Sequence, residues 1–263
     1  MKKEDGLKVL DLKGKRLSRV PVAVTELSEI EKLVLDHNNL IELPASISKL
    51  KNLIALKLGN NKITELPAEI GDLRELGELR VNSNQLVGLP TSIQRLTKLL
   101  LLDLSGNKLT ELPAEIGDLR ELRVLGVSNN QLVVLPTSIQ RLTKLEELYL
   151  SGNKLTELPA EICDLRELRE LSMSNNQLAG FPTSILRLTK LERLYLSGNK
   201  LTELPAEIND LRELRELSVI RNPLTVDAVR RALKLRKKGV LVYGVAGKHS
   251  GYCSYLEVRK KPR

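Results

Sequence analysis

The chain has 263 residues, 41% hydrophobic and 2% aromatic, with no Trp and a formal net charge of +9. Cys163 and Cys253 are too few for a disulfide framework, which argues against a small disulfide-stapled secreted fold and for a reducing, cytoplasmic setting. No run approaches the ~18 consecutive apolar residues of a membrane span, and the opening MKKEDGLKVLDLKGKRL lacks the apolar stretch of a secretion signal, so neither is expected. The charge is not spread evenly. Residues 221–263 carry twelve Lys/Arg against two Asp/Glu, whereas residues 1–220 carry thirty against thirty-one. The body is neutral and the C-terminal end is basic.

In chain order, the first element is a strand around Leu10, followed by polar Lys13, Gly14, Lys15 and Arg16; residues 1–29 read as an N-terminal cap. From there Leu recurs at one fixed spacing, at Leu33, Leu56, Leu79, Leu102, Leu125, Leu148, Leu171, Leu194 and Leu217. Five residues after each stands an asparagine: Asn38, Asn61, Asn84, Asn107, Asn130, Asn153, Asn176, Asn199 and Asn222. Eleven residues after each of the first eight, a proline opens a return segment, at a position suited to the first residue of a helix. Within one unit Leu122, Leu125, Val127, Leu132, Leu135, Ile139 and Leu142 are the predicted core. Leu125-Gly126-Val127 alternates as a short strand must. The spacing of Ile139 and Leu142 predicts a short helix or 3₁₀ turn. Such units cannot bury their apolar side alone, and stacking them shares one core.

After residues 30–224 the lattice breaks. Val226, Val229 and Leu233 fall on one helical face, which predicts a capping helix from about Val226 to Leu235, and GVLVYGV reads as a last strand; residues 225–246 form this C-terminal cap and residues 247–263 a basic tail.

The pattern Leu-x-x-Leu-x-Leu-x-x-Asn-x-Leu-x-x-Leu-Pro-x-x-Ile-x-x-Leu resembles the leucine-rich repeat, in particular the 23-residue class of intracellular Ras-group proteins such as scribble, erbin and the Ras suppressor. The resemblance covers about residues 7–224. It implies an α/β fold: a right-handed, horseshoe-shaped solenoid with a parallel β-sheet on the concave side and short helical or 3₁₀ segments on the convex side. It also implies that the asparagines form a ladder, each amide bonding backbone groups of the adjoining turns that would otherwise be buried and unpaired. The function implied is a non-enzymatic protein-interaction module, an adaptor, scaffold or receptor domain, holding a protein on its concave face.

The chain also repeats at twice the unit length. Blocks 62–107, 108–153 and 154–199 each join a repeat containing PAEI and DLREL to one containing PTSI and RLTKL. Between successive blocks, eleven of nineteen changes fall on strand or strand-end positions of the concave side. Ala114, Glu115, Asp118, Arg120 and Glu121, expected to be exposed on the convex side, are the same in all three blocks. The frame is constant and the inner face varies, which places recognition there. Cys163 stands where the sister copies carry Gly71, Gly117 and Asn209 and reads as a tolerated surface change.

Two of the chain's five tyrosines, Tyr149 and Tyr195, stand on that face two strands apart. With Arg193, Glu147, Glu170 and Ser172 they make the candidate anchor patch, and Asp103 and Arg80 continue the same row. No catalytic constellation is visible. His37 has no Ser or Cys nucleophile arranged beside it, YGVAGKHS departs from a phosphate loop at Val242 and His249, and no metal or cofactor motif occurs. The expected partner is therefore a protein, with no small-molecule substrate and a monomeric chain. Two other partner classes stay open. One is a microbial surface molecule, as for a protein of innate defence. The other is a nucleic acid or anionic surface bound through Arg230, Arg231, Lys234, Arg236, Lys237, Lys238, Lys248, Arg259, Lys260 and Lys261.

Overall fold

The structure, a computed structural model, describes residues 2–4 and 6–245. The tail 247–263, with Lys248, His249, Cys253, Arg259, Lys260 and Lys261, lies outside the described residues. One sheet runs the length of the molecule with its strands in chain order. Strand β1 (Lys2–Glu4) pairs antiparallel with β2 (Leu7–Asp11). Every later pairing is parallel: β3 (Lys32–Val34), β4 (Ala55–Lys57), β5 (Glu78–Arg80), β6 (Leu101–Asp103), β7 (Val124–Gly126), β8 (Glu147–Tyr149), β9 (Glu170–Ser172), β10 (Arg193–Tyr195), β11 (Glu216–Ser218) and β12 (Leu241–Tyr243). From β2 to β11 the register advances by one repeat per strand, so each leucine of the lattice lies beside the next. From Leu33 to Leu217 these leucines have no solvent exposure. The fold is an α/β solenoid with one continuous core.

Opposite the strands, eight 3₁₀ segments of five residues each face outward, the fifth being Thr137–Arg141. Each follows a proline that takes the N-cap rather than the first helical position, one residue earlier than the sequence predicts. The ring holds φ in the range all extended N-caps use, and the proline carbonyl accepts the N–H three residues on, as Pro136 does from Ile139 at 3.0 Å. The first return segment differs, forming one turn of α-helix, α1 (Val22–Thr25).

Between strand and return segment the chain must reverse. The residue just before each ladder asparagine has a left-handed φ, from Asn129 (54°) to Gly152 (70°). Glycine or asparagine fills most of these positions because other side chains are strained there. The next residue, the asparagine, then turns inward. Asn130 accepts the Leu109 N–H at Oδ1 (3.0 Å), and its Nδ2 donates to the carbonyls of Leu104 and Val127 (both 3.0 Å). The same three contacts recur from Asn38, which accepts the Leu17 N–H, to Asn222. From Leu35 to Leu196 each such carbonyl is shared: Leu104 O also accepts from Asn107 Nδ2 at 2.8 Å. The ladder is one chain of amides stitching every repeat to two neighbours.

On the outer side the two-repeat unit has a physical cause. Within each block the acidic repeat pairs with the basic one that follows: Asp72 with Arg95, Glu75 with Lys98, Asp118 with Arg141, Glu121 with Lys144, Glu167 with Lys190. Of the five constant residues Ala114 and Arg120 are exposed as expected, Glu115, Asp118 and Glu121 are partly exposed, and Asp118 and Glu121 hold ion pairs. The constancy of Asp118 and Glu121 thus has a structural partner, so for these two the contrast between the constant outer and variable inner faces is weaker than the sequence alone suggests.

Cys163 needs a second correction. A Cβ on Gly71 or Gly117 would lie 2.3 or 2.4 Å from the carbonyl oxygen of Ser92 or Ser138 in the next repeat. These glycines sit in a packed joint, and Cys163 occupies the equivalent joint half-buried, not on open surface. The repeat after it has yielded. Pro182 has ψ 90°, where the other seven N-cap prolines of the 3₁₀ segments lie between 144° and 154°. Ser184 is half-buried where Ser92 and Ser138 are buried.

Helix α2 (Val226–Lys237) packs on the last coil, and β12 continues the sheet. Its inward face is Ala228, Ala232 and Leu235, with Val229 and Leu233 flanking. Val226 is exposed, contrary to its predicted place on the apolar face: it is the first helical residue, and the Thr225 hydroxyl that caps Ala228 N–H fixes the helix with that position outward.

Candidate partner-binding surface

The inner strands are three residues long, so only the first and third side chains of each point away from the core. Register sets them in two rows. One reads Lys32, Ala55, Glu78, Leu101, Val124, Glu147, Glu170, Arg193, Glu216, Leu241; the other Val34, Lys57, Arg80, Asp103, Gly126, Tyr149, Ser172, Tyr195, Ser218, Tyr243. Three zones follow.

The first zone, on β3–β5, is basic. Lys57 and Arg80 both reach Glu78, at 3.3 and 2.5 Å. Burial raises the Glu78 pKa, but the two cations more than offset this and leave it below its ordinary value. Asp103, although beside Arg80 in register, turns to accept the Ser105 N–H at 3.1 Å. The second zone, on β4–β7 and the turns before them, is apolar: Ile54, Leu100, Leu101 and Val124, of which Leu100 is 45% exposed. The strand rows contain Leu101 and Val124; Ile54 and Leu100 precede their strands and join the zone only in three dimensions.

The third zone, on β8–β12, holds the tyrosines. Tyr149, Glu147, Glu170, Ser172, Arg193 and Tyr195 are brought together on three adjacent strands, whereas Asp103 and Arg80 lie beyond β7 in the other zones. Gly126 makes the break: a Cβ there would stand 2.8 Å from Asp103 Oδ1. The Tyr149 hydroxyl donates to Glu147 Oε2 at 2.7 Å, and Arg193 Nε donates to Glu170 Oε2 at 2.5 Å. Desolvation and the Glu147 and Glu170 carboxylates raise the Tyr149 pKa well above the tyrosine value. Desolvation and Glu216 push Tyr195 up to about 12. The small residues between are held too: Ser172 Oγ lies 2.7 Å from Ser151 Oγ, and Ser218 Oγ 2.7 Å from Ser197 Oγ.

Tyr243 belongs to this zone, and sequence spacing does not locate it. One further repeat after Ser218 lands on Leu241, but α2 replaces the 3₁₀ segment and lengthens the last coil, so Ser218 pairs with Tyr243. Tyr243 is 45% exposed.

The basic C-terminal segment is partly committed to closing the coil. Arg231 bonds Glu203 Oε2 and the Leu204 carbonyl, Lys238 Nζ donates to the Asn209 carbonyl at 3.2 Å, and Arg230 pairs with Asp227. His37 is exposed at a left-handed turn. Among the described residues no group of three or more His, Cys, Asp or Glu could hold a metal ion, and no helix is long and apolar enough to cross a membrane.

A stack of coils with a polar ladder inside and an open parallel sheet defines a repeat protein whose broad free surface is that sheet. Leucine-rich-repeat models match residues 28–86, 74–132 and 120–178, and a two-copy leucine-rich-repeat model matches 166–209. The chain belongs to the leucine-rich-repeat family. Among solved structures it is similar to a leucine-rich-repeat protein of Leptospira interrogans, with 34% identity and a TM-score of 0.81 over 91% of this chain and 66% of that one. It is also similar to the ectodomain of the Arabidopsis thaliana receptor kinase GASSHO1/SCHENGEN3, solved with Casparian strip integrity factor 2: 30% identity and a TM-score of 0.72 over 82% of this chain and 30% of that one. The Arabidopsis receptor kinase HAESA, solved with the peptide hormone IDA and the co-receptor SERK1, matches at 27% identity and a TM-score of 0.73, over 82% of this chain and 38% of that one. The chain thus spans less than two thirds of each of these structures. No curated protein matches the chain. The family and its fold are those of protein-interaction modules.

Proposed function

We propose that this chain is a non-enzymatic adaptor of the 23-residue intracellular class, a monomer that captures a protein partner on the concave strands β8–β12. Residues 1–29 and 225–246 close its two ends. The supporting observation is the clustering of Tyr149, Tyr195, Arg193, Glu147 and Glu170 on adjacent strands, half-exposed, on the one face free of return segments. Tyrosine and arginine anchors give large contact area for modest entropy loss. The test uses the wild-type chain and a Tyr149→Ala/Tyr195→Ala variant as paired baits. The partner recovered by the first is then titrated against both by calorimetry. A loss of well over tenfold is expected with folding intact; equal affinities would remove this face from consideration.

A second reading is supported by the similarity to receptor ectodomains solved with their ligands: recognition of ligands outside the cell. Fractionation of the producing cells separates the two, since the adaptor reading requires the chain to stay with the cytosol.

A further inference from the structure

We propose that the tyrosine zone is a slot array for a proline-rich segment in the polyproline II conformation, running across the strands with a basic residue at one end. This deepens the reading of the concave face as the partner surface and rests on it. The argument starts from spacing. Tyr149, Tyr195 and Tyr243 stand on every second strand, with Ser172 on the strand between the first pair and Ser218 between the second. Parallel strands lie ~4.8 Å apart, so successive tyrosines repeat at about 9.6 Å. Between them the side chains are small, leaving two slots walled by rings.

A ligand lying across the strands must present matching groups at that repeat. A polyproline II chain rises ~3.1 Å per residue with three residues per turn, so every third residue returns to the same face after about 9.3 Å. A β-extended segment fails. Its same-face residues recur at about 6.6–6.8 Å, and residues three apart point to opposite sides. An α-helix returns to one face at a pitch of about 5.4 Å, which fits neither one interval nor two. Aromatic-walled grooves suit proline because its rings fill them at low conformational cost.

Charge selects the flank. The row beside the tyrosines carries Glu147, Glu170 and Glu216 against Arg193 alone, so the zone is acidic, and Glu170 is the carboxylate already matched. Glu147 and Glu216, at opposite sides of that pair, favour a cationic ligand residue. The serine hydroxyls are turned to Ser151 and Ser197, which keeps the slot floors short.

The experiment uses a fluorescent peptide, Arg-Pro-Pro-Ala-Pro-Pro-Ala-Pro-Pro-Ala-Arg, and a control with every proline replaced alternately by glycine and serine at the same length and charge. Anisotropy titrations of the full chain are expected to show at least tenfold tighter binding of the proline peptide. Tyr195→Ala and Tyr243→Ala should each weaken it fivefold or more, and Ser172→Leu, which fills a slot without removing a ring, should do the same. Thermal melts of each variant confirm the fold, and Ser172→Leu keeps the test valid if a tyrosine variant unfolds. Equal binding of both peptides, or no binding at millimolar concentration, overturns the proposal. A captured protein that loses affinity on Tyr149→Ala/Tyr195→Ala while the proline peptide stays unbound would overturn this inference and leave the concave-face reading standing.

Discussion

Replacing Asn130 by Ala tests how the inner face is held rigid. Asn130 serves the Leu109 N–H and the Leu104 and Val127 carbonyls, with a longer contact to the Ser128 carbonyl, but not equally. The Leu109 N–H has Asn130 Oδ1 as its acceptor and is left buried without one. Leu104 O keeps Asn107 Nδ2, and Val127 O keeps Asn153 Nδ2, so each carbonyl loses one bond of two. One orphaned buried donor costs about 1–3 kcal/mol and two lost second bonds about 0.5–1 kcal/mol each, giving roughly 2–5 kcal/mol in all. Urea denaturation followed by circular dichroism reads this as a lower midpoint. The sharing of carbonyls makes a sharper claim. Asn107→Ala/Asn130→Ala removes both donors to Leu104 O, so the double variant should lose on the order of 1 kcal/mol more than the two single losses together. Asn61→Ala/Asn130→Ala, with no shared carbonyl, should be additive. A single-variant cost below about 1 kcal/mol, or additivity in the adjacent pair, would show that the ladder does not work by shared amides.

The joints and the tyrosines are open to the same kind of test. Cys163→Gly should raise the stability of the chain and Gly117→Ala should lower it by about 1–3 kcal/mol, because the added Cβ meets the Ser138 carbonyl; a Gly117→Ala protein as stable as wild type would remove the packing argument. Tyr195 holds its proton up to about 12 in the folded chain against an ordinary value of 10.0, so the native state binds it more tightly than the unfolded one. Stability present below pH 10 should therefore fall as pH rises through about 12, with Tyr149 acting in the same direction. Tyrosinate absorbance in the folded and urea-unfolded chain checks this, and coincident titration curves would contradict it.

What the sequence made legible was whatever the coil repeats. Leu, Asn and Pro recur because each solves a problem every coil shares: a core, a buried reversal and the start of a return segment. What it concealed depends on neighbours one coil away or on a change of coil length. Asp118 looks like any surface acid until Arg141 is placed beside it. Gly117 looks interchangeable with Cys163 until the Ser138 carbonyl fills the space. β1 has the polar sequence Lys-Lys-Glu, with no apolar alternation to signal a strand. Tyr243 is hidden by arithmetic, because the lattice that locates Tyr149 and Tyr195 stops holding where α2 begins.

The outer ion pairs and the inner tyrosines are linked through the length of the repeating unit. Each outer pair is largely exposed, and solvent screening leaves it little weight in stability. Copying one acidic repeat alone would set Asp beside Asp and Glu beside Glu on adjacent coils, whereas copying the acidic and basic pair preserves every match. Growth in steps of two coils then carries any inner side chain forward by two strands, which is how Tyr149 and Tyr195 come to stand one block and about 9.6 Å apart. An inner face built this way has the period of its outer charges.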